Sequence, residues 1–360
     1  MRAFRTSLFS LFAAAAILVP ARAGDWVLLK HEGRDYVTLD NVAEFYGLGS
    51  VRRVNNNDAI LGGGQRTLRG ARGSAEFYIN NLKFILSYPL AEHDGKLMVS
   101  RMDLTKLIEP VIRPNRIRDA QKIDTVVLDP GHGGHDAGAI GQWGREKEYT
   151  LDVACRARQI LQQHGFKVHM TRIDDRFIAL DDRTKFANQF HNAIFVSIHF
   201  NSGGPAASGL EVYTLAPRGV PSMMSDGPRV TDLHLCAGNS RDSENMALAC
   251  ATHAAMVSHA QLYDRGIKRA RFVVIRDITI PGVLIEGGFV STPHDGRLIA
   301  STAYRQNMAF CIAAAAENYR NAVGPATTAL AGESVRLRDV GENAETKSED
   351  GPPVVLRTAN

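Results

Sequence analysis

Four polar residues stand where the sequence can bring them together. Val126-Val127-Leu128 leads into Asp129-Pro130-Gly131-His132-Gly133-Gly134, Ser197-Ile198 leads into His199, and Leu284-Ile285 leads into Glu286-Gly287-Gly288. Each follows a short apolar run of the kind that forms a buried strand. In open α/β sheets the carboxyl ends of the strands form the functional edge, so His132, His199 and Glu286 can converge although they lie far apart in the chain. Glu146, in Gly144-Arg145-Glu146-Lys147, sits just before the helix expected after the first strand and belongs to the same edge. Two imidazoles and one carboxylate suit a single catalytic zinc ion, with a fourth position left for water. Zinc would polarise that water and a scissile carbonyl. A carboxylate that is not a ligand must then take the water's proton and pass it to the leaving amine, and Glu286 suits that role.

Taken singly, each residue has a plainer reading. His132 could be a turn histidine, His199 a capping or core histidine, and Glu146 a solvated acid favoured by the helix dipole. Glu286 is harder to dismiss, because an acid ending an apolar strand is costly unless paired or functional. His135 shares the glycine-rich loop but has no strand-end position and reads as solvated. His164, His169, His191, His253 and His259 lack partners in the pattern and read as structural or surface residues. There is no His-Glu-x-x-His pair and no Gly-x-Ser-x-Gly elbow. Gly62-Gly63-Gly64 has no phosphate-loop lysine after it and reads as a turn.

The elements that must position these residues lie beyond residue 124. Strand patterns at 125–128, 168–171, 194–198, 210–215, 272–275 and 283–285 alternate with helical patterns at 148–164, 180–190, 243–262 and 296–319. That alternation predicts an α/β domain, an open and mostly parallel sheet flanked by helices. Residues 216–242 break the rhythm with prolines and glycines, and a loop of this length is usually functional or mobile. Residues 24–112 read as a small, mostly β accessory domain, including a hairpin turning at Asn80-Asn81, and 113–123 as a linker. Residues 322–360 are polar and poor in aromatics, which predicts a disordered tail.

The N-terminus has a basic start at Arg2 and Arg5, an apolar run over 8–19 and Ala21-Arg22-Ala23, the pattern of a signal peptide over 1–23. Its removal would take the net charge from +4 to +1. A near-neutral chain has no general attraction to nucleic acid or anionic lipid, and no later segment is long and apolar enough to insert in a membrane. The expectation is a secreted or periplasmic protein. An oxidising compartment permits disulfides among Cys155, Cys236, Cys250 and Cys311, and four cysteines allow three pairings. Cys155, Cys250 and Cys311 sit in alanine-rich helical contexts that suit buried free thiols.

From 125 to 319 the sequence resembles the zinc-dependent N-acetylmuramoyl-L-alanine amidases of bacterial cell-wall remodelling (amidase type 3). The resemblance is carried by Leu128 to Gly134 with Asp136 and Gly138, Glu146-Lys147, Thr171-Arg172 with Asp174, and Leu180-x-x-Arg183. It continues through Ala187-Asn188, Ser197-Ile198-His199-Phe200-Asn201, Asp264-Arg265-Gly266 and Leu284-Ile285-Glu286-Gly287-Gly288-Phe289. It implies one zinc ion on His132, Glu146 and His199, Glu286 as the catalytic acid, and peptidoglycan as substrate. The bond implied is the amide between N-acetylmuramic acid and the L-alanine of the stem peptide. The front domain is similar, more loosely, to the small N-terminal domain found beside copper amine oxidases. Some members plug their zinc site with a helix that a protein activator removes. Residues 216–242 lack such a helix and offer only Asp226, Asp232, His234 and Cys236, which predicts partial occlusion at most. Another amide bond of the wall, or a wall-binding protein without activity, are the competing readings. A decoy should lack a ligand, and none is missing.

Overall fold

The computed structural model describes residues 26–63, 66–225, 227–259 and 262–323, together with strands at 335–340 and 355–356. The stretch read as a signal peptide, 1–23, lies outside the described residues. The front part runs β1 (Trp26–His31), β2 (Arg34–Thr38), α1 (Leu39–Tyr46), β3 (Arg52–Arg53), β4 (Asp58–Gly63), β5 (Arg66–Ala71), β6 (Glu76–Ile79), β7 (Leu82–Ile85), β8 (Ala91–His93) and β9 (Lys96–Ser100). Thr38 caps α1 by accepting from the Asn41 amide, and Gly47 closes it in the left-handed conformation. Asn80 and Asn81 take φ of 50° and 65° between β6 and β7, the twist a two-residue hairpin requires. A continuous helical segment follows: α2 (Arg101–Asp103), a π-turn (Leu104–Ile108) and α3 (Glu109–Ile112).

The larger part contains β10 (Thr125–Pro130), β11 (Ile140–Gly141), β12 (Gly144–Arg145), α4 (Glu146–Gln163), β13 (Lys167–Met170), α5 (Leu180–Ala187), β14 (Ala193–Asn201) and β15 (Leu210–Leu215). It continues with α6 (Asp242–His259), β16 (Asp264–Ala270), α7 (Val273–Arg276), β17 (Gly282–Phe289), α8 (Pro293–Ala300) and α9 (Thr302–Ala322). Strands β13, β10, β14 and β17 lie side by side in parallel. Every residue of β10 is buried, because helices cover both faces of a parallel sheet. Val126, Leu128, Val196 and Ile198 pack with α4, α6 and α9 residues such as Val153, Leu248 and Ile312. On the other face Val127, Phe195, Tyr213 and Leu284 pack with Ala187 of α5 and Val274 and Ile275 of α7.

This is the α/β class read from the sequence, with a smaller, largely antiparallel sheet at the front formed around β1, β2, β9 and β8. Two features differ from the expected layout. The run at 272–275, read as a strand, instead enters helix α7. The strand in that place is β16, whose sequence Asp-Arg-Gly-Ile-Lys-Arg-Ala hides it because its charged side chains are consumed by buried partners. Helical sequence at 296–319 is split at Ser301, whose side chain caps α9 by accepting from the Tyr304 amide.

The sheet that carries the site also continues into the front part, in the order β17, β15, β16, β7, β6, β5. A buried ion pair, Arg269 Nη1 to Asp103 Oδ1 at 2.8 Å, ties β16 to the helical segment beside it. Strand β18 (Val335–Val340) pairs in parallel with β1 and in antiparallel with β19 (Val355–Leu356), inside the stretch read from composition as a tail. All four cysteines are free thiols in this structure. Among the described residues no helix is long and apolar enough to cross a membrane.

Candidate metal centre

His132, Glu146 and His199 converge, each offering a ligand atom within 4.8 Å of the others. His199 comes from the end of β14, His132 from the turn after β10 and Glu146 from the first position of α4. His132 Nε2 lies 3.0 Å and His199 Nδ1 2.9 Å from the same oxygen, Glu146 Oε1. The Phe200 amide donates to that oxygen at 3.0 Å and the Ala139 amide to Oε2 at 2.8 Å, so the carboxylate is fixed at both ends. Burial works to raise the Glu146 pKa, but its bonds from His132 and His199 outweigh burial and hold it far below the ordinary carboxylate range.

The turn is built for close approach. A Cβ on Gly131 would overlap the His199 imidazole, and one on Gly138 would overlap Glu146 Oε2 and the His132 ring. His132 itself takes φ of 61°, a conformation costing about 1–2 kcal/mol for a non-glycine residue. Its neighbours hold it there. Arg183 donates to the His132 carbonyl at 2.7 Å, to Pro130 O at 2.7 Å and to buried Asp129 Oδ1 at 2.7 Å. Arg172 donates to the carbonyls of Pro130, Gly131 and Lys147. Asp129 also accepts from Thr171 and Ser197, so β10, β13 and β14 are locked together directly beneath the site.

His132 Nδ1, the ring nitrogen turned from the cluster, meets Asp136 Oδ2 at 2.8 Å, and the Gly138 amide donates to Asp136 Oδ1. A carboxylate behind a ligating imidazole fixes its ring orientation and raises its basicity. Burial alone would lower the His132 pKa; Glu146 and Asp136 more than offset it and raise it. A cluster of two partly exposed imidazoles and a deprotonated, buried carboxylate, sterically cleared by glycines, fits a divalent metal that accepts nitrogen and oxygen.

Glu286 stands beside this cluster, in register with His199 on the adjacent parallel strand. Its Oε2 is wholly shielded and has no hydrogen-bond partner among the described residues. Burial, then the negative charges of Glu146 and Glu211, push its carboxyl well above the ordinary range. An unpaired buried carboxyl is costly, and its place beside the cluster gives it a proton-transfer role to perform. Glu211, directly opposite on antiparallel β15, was not singled out from the sequence. It accepts from Tyr213 Oη at 2.7 Å, Asn201 Nδ2 at 2.9 Å, Arg265 Nε at 2.7 Å and Lys268 Nζ. Asp136, Arg172 and Arg183 lay within stretches read as matching, but no sequence signal gave them a role.

Of the other histidines, His135 is exposed with its ring 4.2 Å from Phe177, and His253 is fully buried against Asp264 at 2.7 Å. The loop after β15 leaves the sheet at the edge opposite the site, because β15 runs against β17. Arg271 pins that loop through Pro217 O, Val220 O and Asp232. Asp232 is thus spent on Arg271, Cys236 Sγ lies against the same guanidinium, and His234 is exposed. Asp226 lies outside the described residues. Met224 returns toward the site as far as Tyr213 Oη, 3.5 Å away.

An α/β sheet with a His-Glu-His cluster and an unpartnered glutamate on one strand edge is the arrangement of a metallohydrolase. Residues 126–318 match the family described as N-acetylmuramoyl-L-alanine amidase (Amidase_3). The chain is 35% identical over 217 residues to N-acetylmuramoyl-L-alanine amidase AmiA of Escherichia coli K12, covering 54% of this chain and 75% of that one. It is 36% identical over 211 residues to AmiA of Salmonella typhimurium, covering 52% and 73%. Among solved structures it is similar to N-acetylmuramoyl-L-alanine amidase AmiC2 of Nostoc punctiforme, with 33% identity, 56% and 99% coverage and a TM-score of 0.46. The chain belongs to the N-acetylmuramoyl-L-alanine amidase family, hydrolases acting on peptidoglycan.

Proposed function

We propose that this amidase is zinc-dependent, with His132, Glu146 and His199 as ligands and Glu286 as the catalytic carboxylate. The bond cut is the amide between the lactyl group of N-acetylmuramic acid and the L-alanine of the stem peptide. The observation that carries the reading is the pairing of two unlike sites in one register row: a converged His-Glu-His donor set at His199, and the shielded, unpartnered Glu286 next to it. Two imidazoles and one carboxylate match the ligand chemistry of a catalytic zinc site. When bound, zinc supplies Lewis acidity toward the scissile carbonyl and a water of lowered pKa. Glu286 takes the proton from the attacking water and delivers it to the departing L-alanine nitrogen, so that one group serves both halves of the reaction. Asp136 holds the His132 ring, Arg183 and Arg172 hold its turn, and Glu211 stays ionised so that its charge keeps Glu286 a ready proton carrier.

The basic and apolar N-terminal pattern supports export and a reaction in the periplasm or outside the cell. Digestion of purified sacculi tests the bond assignment. Intact stem peptides bearing a free L-alanine amine are expected; shortened stems would make the protein a peptidase instead.

A further inference from the structure

The proposed reaction leaves one charged feature of the same strand edge unexplained. His199 on β14, Glu286 on β17 and Glu211 on β15 occupy matched positions on three adjacent strands, so their side chains share one face. The row ends on β16, where Arg265 and Lys268 both donate to Glu211 Oε2. One buried carboxylate therefore faces two cations, an excess of one positive charge before Glu286 is counted. Arg265 keeps capacity to spare. Its Nη1 makes only a long 3.3 Å bond to Ser208 O, and the side chain is 34% exposed over the Phe289 ring. On the opposite flank of the metal cluster the charges balance: Asp136, Asp174 and Asp175 gather there with Lys147, Arg172 and Arg176.

We infer that Arg265 and Lys268 form a subsite for a free carboxylate of the substrate's stem peptide, so that the peptide runs from the metal cluster over Glu286 toward β16. This rests on the amidase reading and gives it a direction. Strands lie about 4.8 Å apart, so the backbone of Arg265 is about 10 Å from that of Glu286. Two extended residues span about 7 Å, and the arginine side chain, leaning back onto Glu211, covers the remainder. A carboxylate on the second residue of the stem then meets a permanently charged, planar donor whose geometry suits it. Glu211 holds both cations in place for that contact, and the balanced flank beside His132 offers the carboxylate no such excess of positive charge.

The test compares two muramoyl tripeptides whose second residue is a glutamate joined onward through its side-chain carboxyl, one with its α-carboxylate free and one with that group converted to a carboxamide. With wild-type enzyme the acid should be preferred by about ten-fold in kcat/KM, mainly through KM. In Arg265→Gln the preference should collapse toward unity, Lys268→Met should reduce it, and Arg265→Lys should restore part of it. Retained zinc content and a single cooperative melting transition, lowered in temperature by the lost pairing with Glu211, show that the variants are folded. Equal use of both substrates by the wild type would overturn the subsite while leaving the amidase reading intact. So would a proportionate loss on both substrates in Arg265→Gln. Cleavage of neither by zinc-loaded wild type would overturn the amidase reading and the subsite with it.

Discussion

Glu286 and Glu211 face each other directly across the antiparallel β17–β15 pair, and their surroundings drive the two carboxyls in opposite directions. Both feel burial. Glu211 answers it with bonds from Lys268, Arg265 and Tyr213, which hold its pKa below the usual range. Glu286 has no such partner and is pushed up by burial and by the charges of Glu146 and Glu211. Environments that separate two carboxyls in this way divide a fixed anion from a proton carrier.

That division predicts opposite pH signatures in stability. Glu211 has a lowered folded pKa, so its contribution is complete above the ordinary carboxylate value and is lost as pH falls through the lowered one. Glu286 has a raised folded pKa, so it favours folding below the ordinary value and progressively costs stability as pH rises toward the raised one. Glu211→Ala should destabilise the protein by about 2–3 kcal/mol at neutral pH, since it leaves Arg265 and Lys268 unpaired, and by less in acid. Metal-free Glu286→Gln should be more stable than metal-free wild type at neutral pH, with the gain shrinking as pH falls. Urea denaturation across the pH range checks both; parallel curves for Glu286→Gln and wild type would contradict the assignment.

Asp136 orients the His132 ring without joining the cluster. Replacing it by alanine should weaken zinc affinity by about 10–100-fold, with Asp136→Asn in between, because the amide keeps a hydrogen bond but not the charge. Competition with a chelator reads this directly. An unchanged affinity would mean that Arg183 and the Gly131–Gly138 turn suffice to fix the imidazole.

The polarity of β15 bears on autoinhibition. Because the strand runs against β17, the loop over 216–242 starts at the far edge, and Arg271 ties it there. Excising residues 223–235 should therefore change hydrolysis of soluble muropeptides by less than about three-fold, a barrier difference under about 1 kcal/mol. A strong rise in activity would show that the loop does close the site, with Met224 the first residue to suspect.

The three strand-end residues were legible because each apolar run stops abruptly at a polar group, and Glu146 because it opens a helix on the same edge. Glu211 was hidden by the alternation of its own strand: in Leu-Glu-Val-Tyr-Thr-Leu a lone acid reads as facing solvent, although every residue of β15 is buried. Nothing local tells that this strand is inserted antiparallel, which is what sets Glu211 opposite Glu286. β16 was missed for a related reason, since Arg265, Lys268 and Arg269 find their carboxylates only through long-range pairing. The same pairing joins the site's sheet to the front strands, a continuity that no segment of sequence announces.

The central claim is that Glu286 works beside the metal without binding it. Zinc content and muropeptide hydrolysis measured on one preparation of Glu286→Ala test it most directly. The geometry predicts wild-type zinc stoichiometry with turnover reduced by about 10²–10⁴-fold. Loss of zinc together with activity would make Glu286 a ligand, and near-normal turnover would remove it from the chemistry altogether.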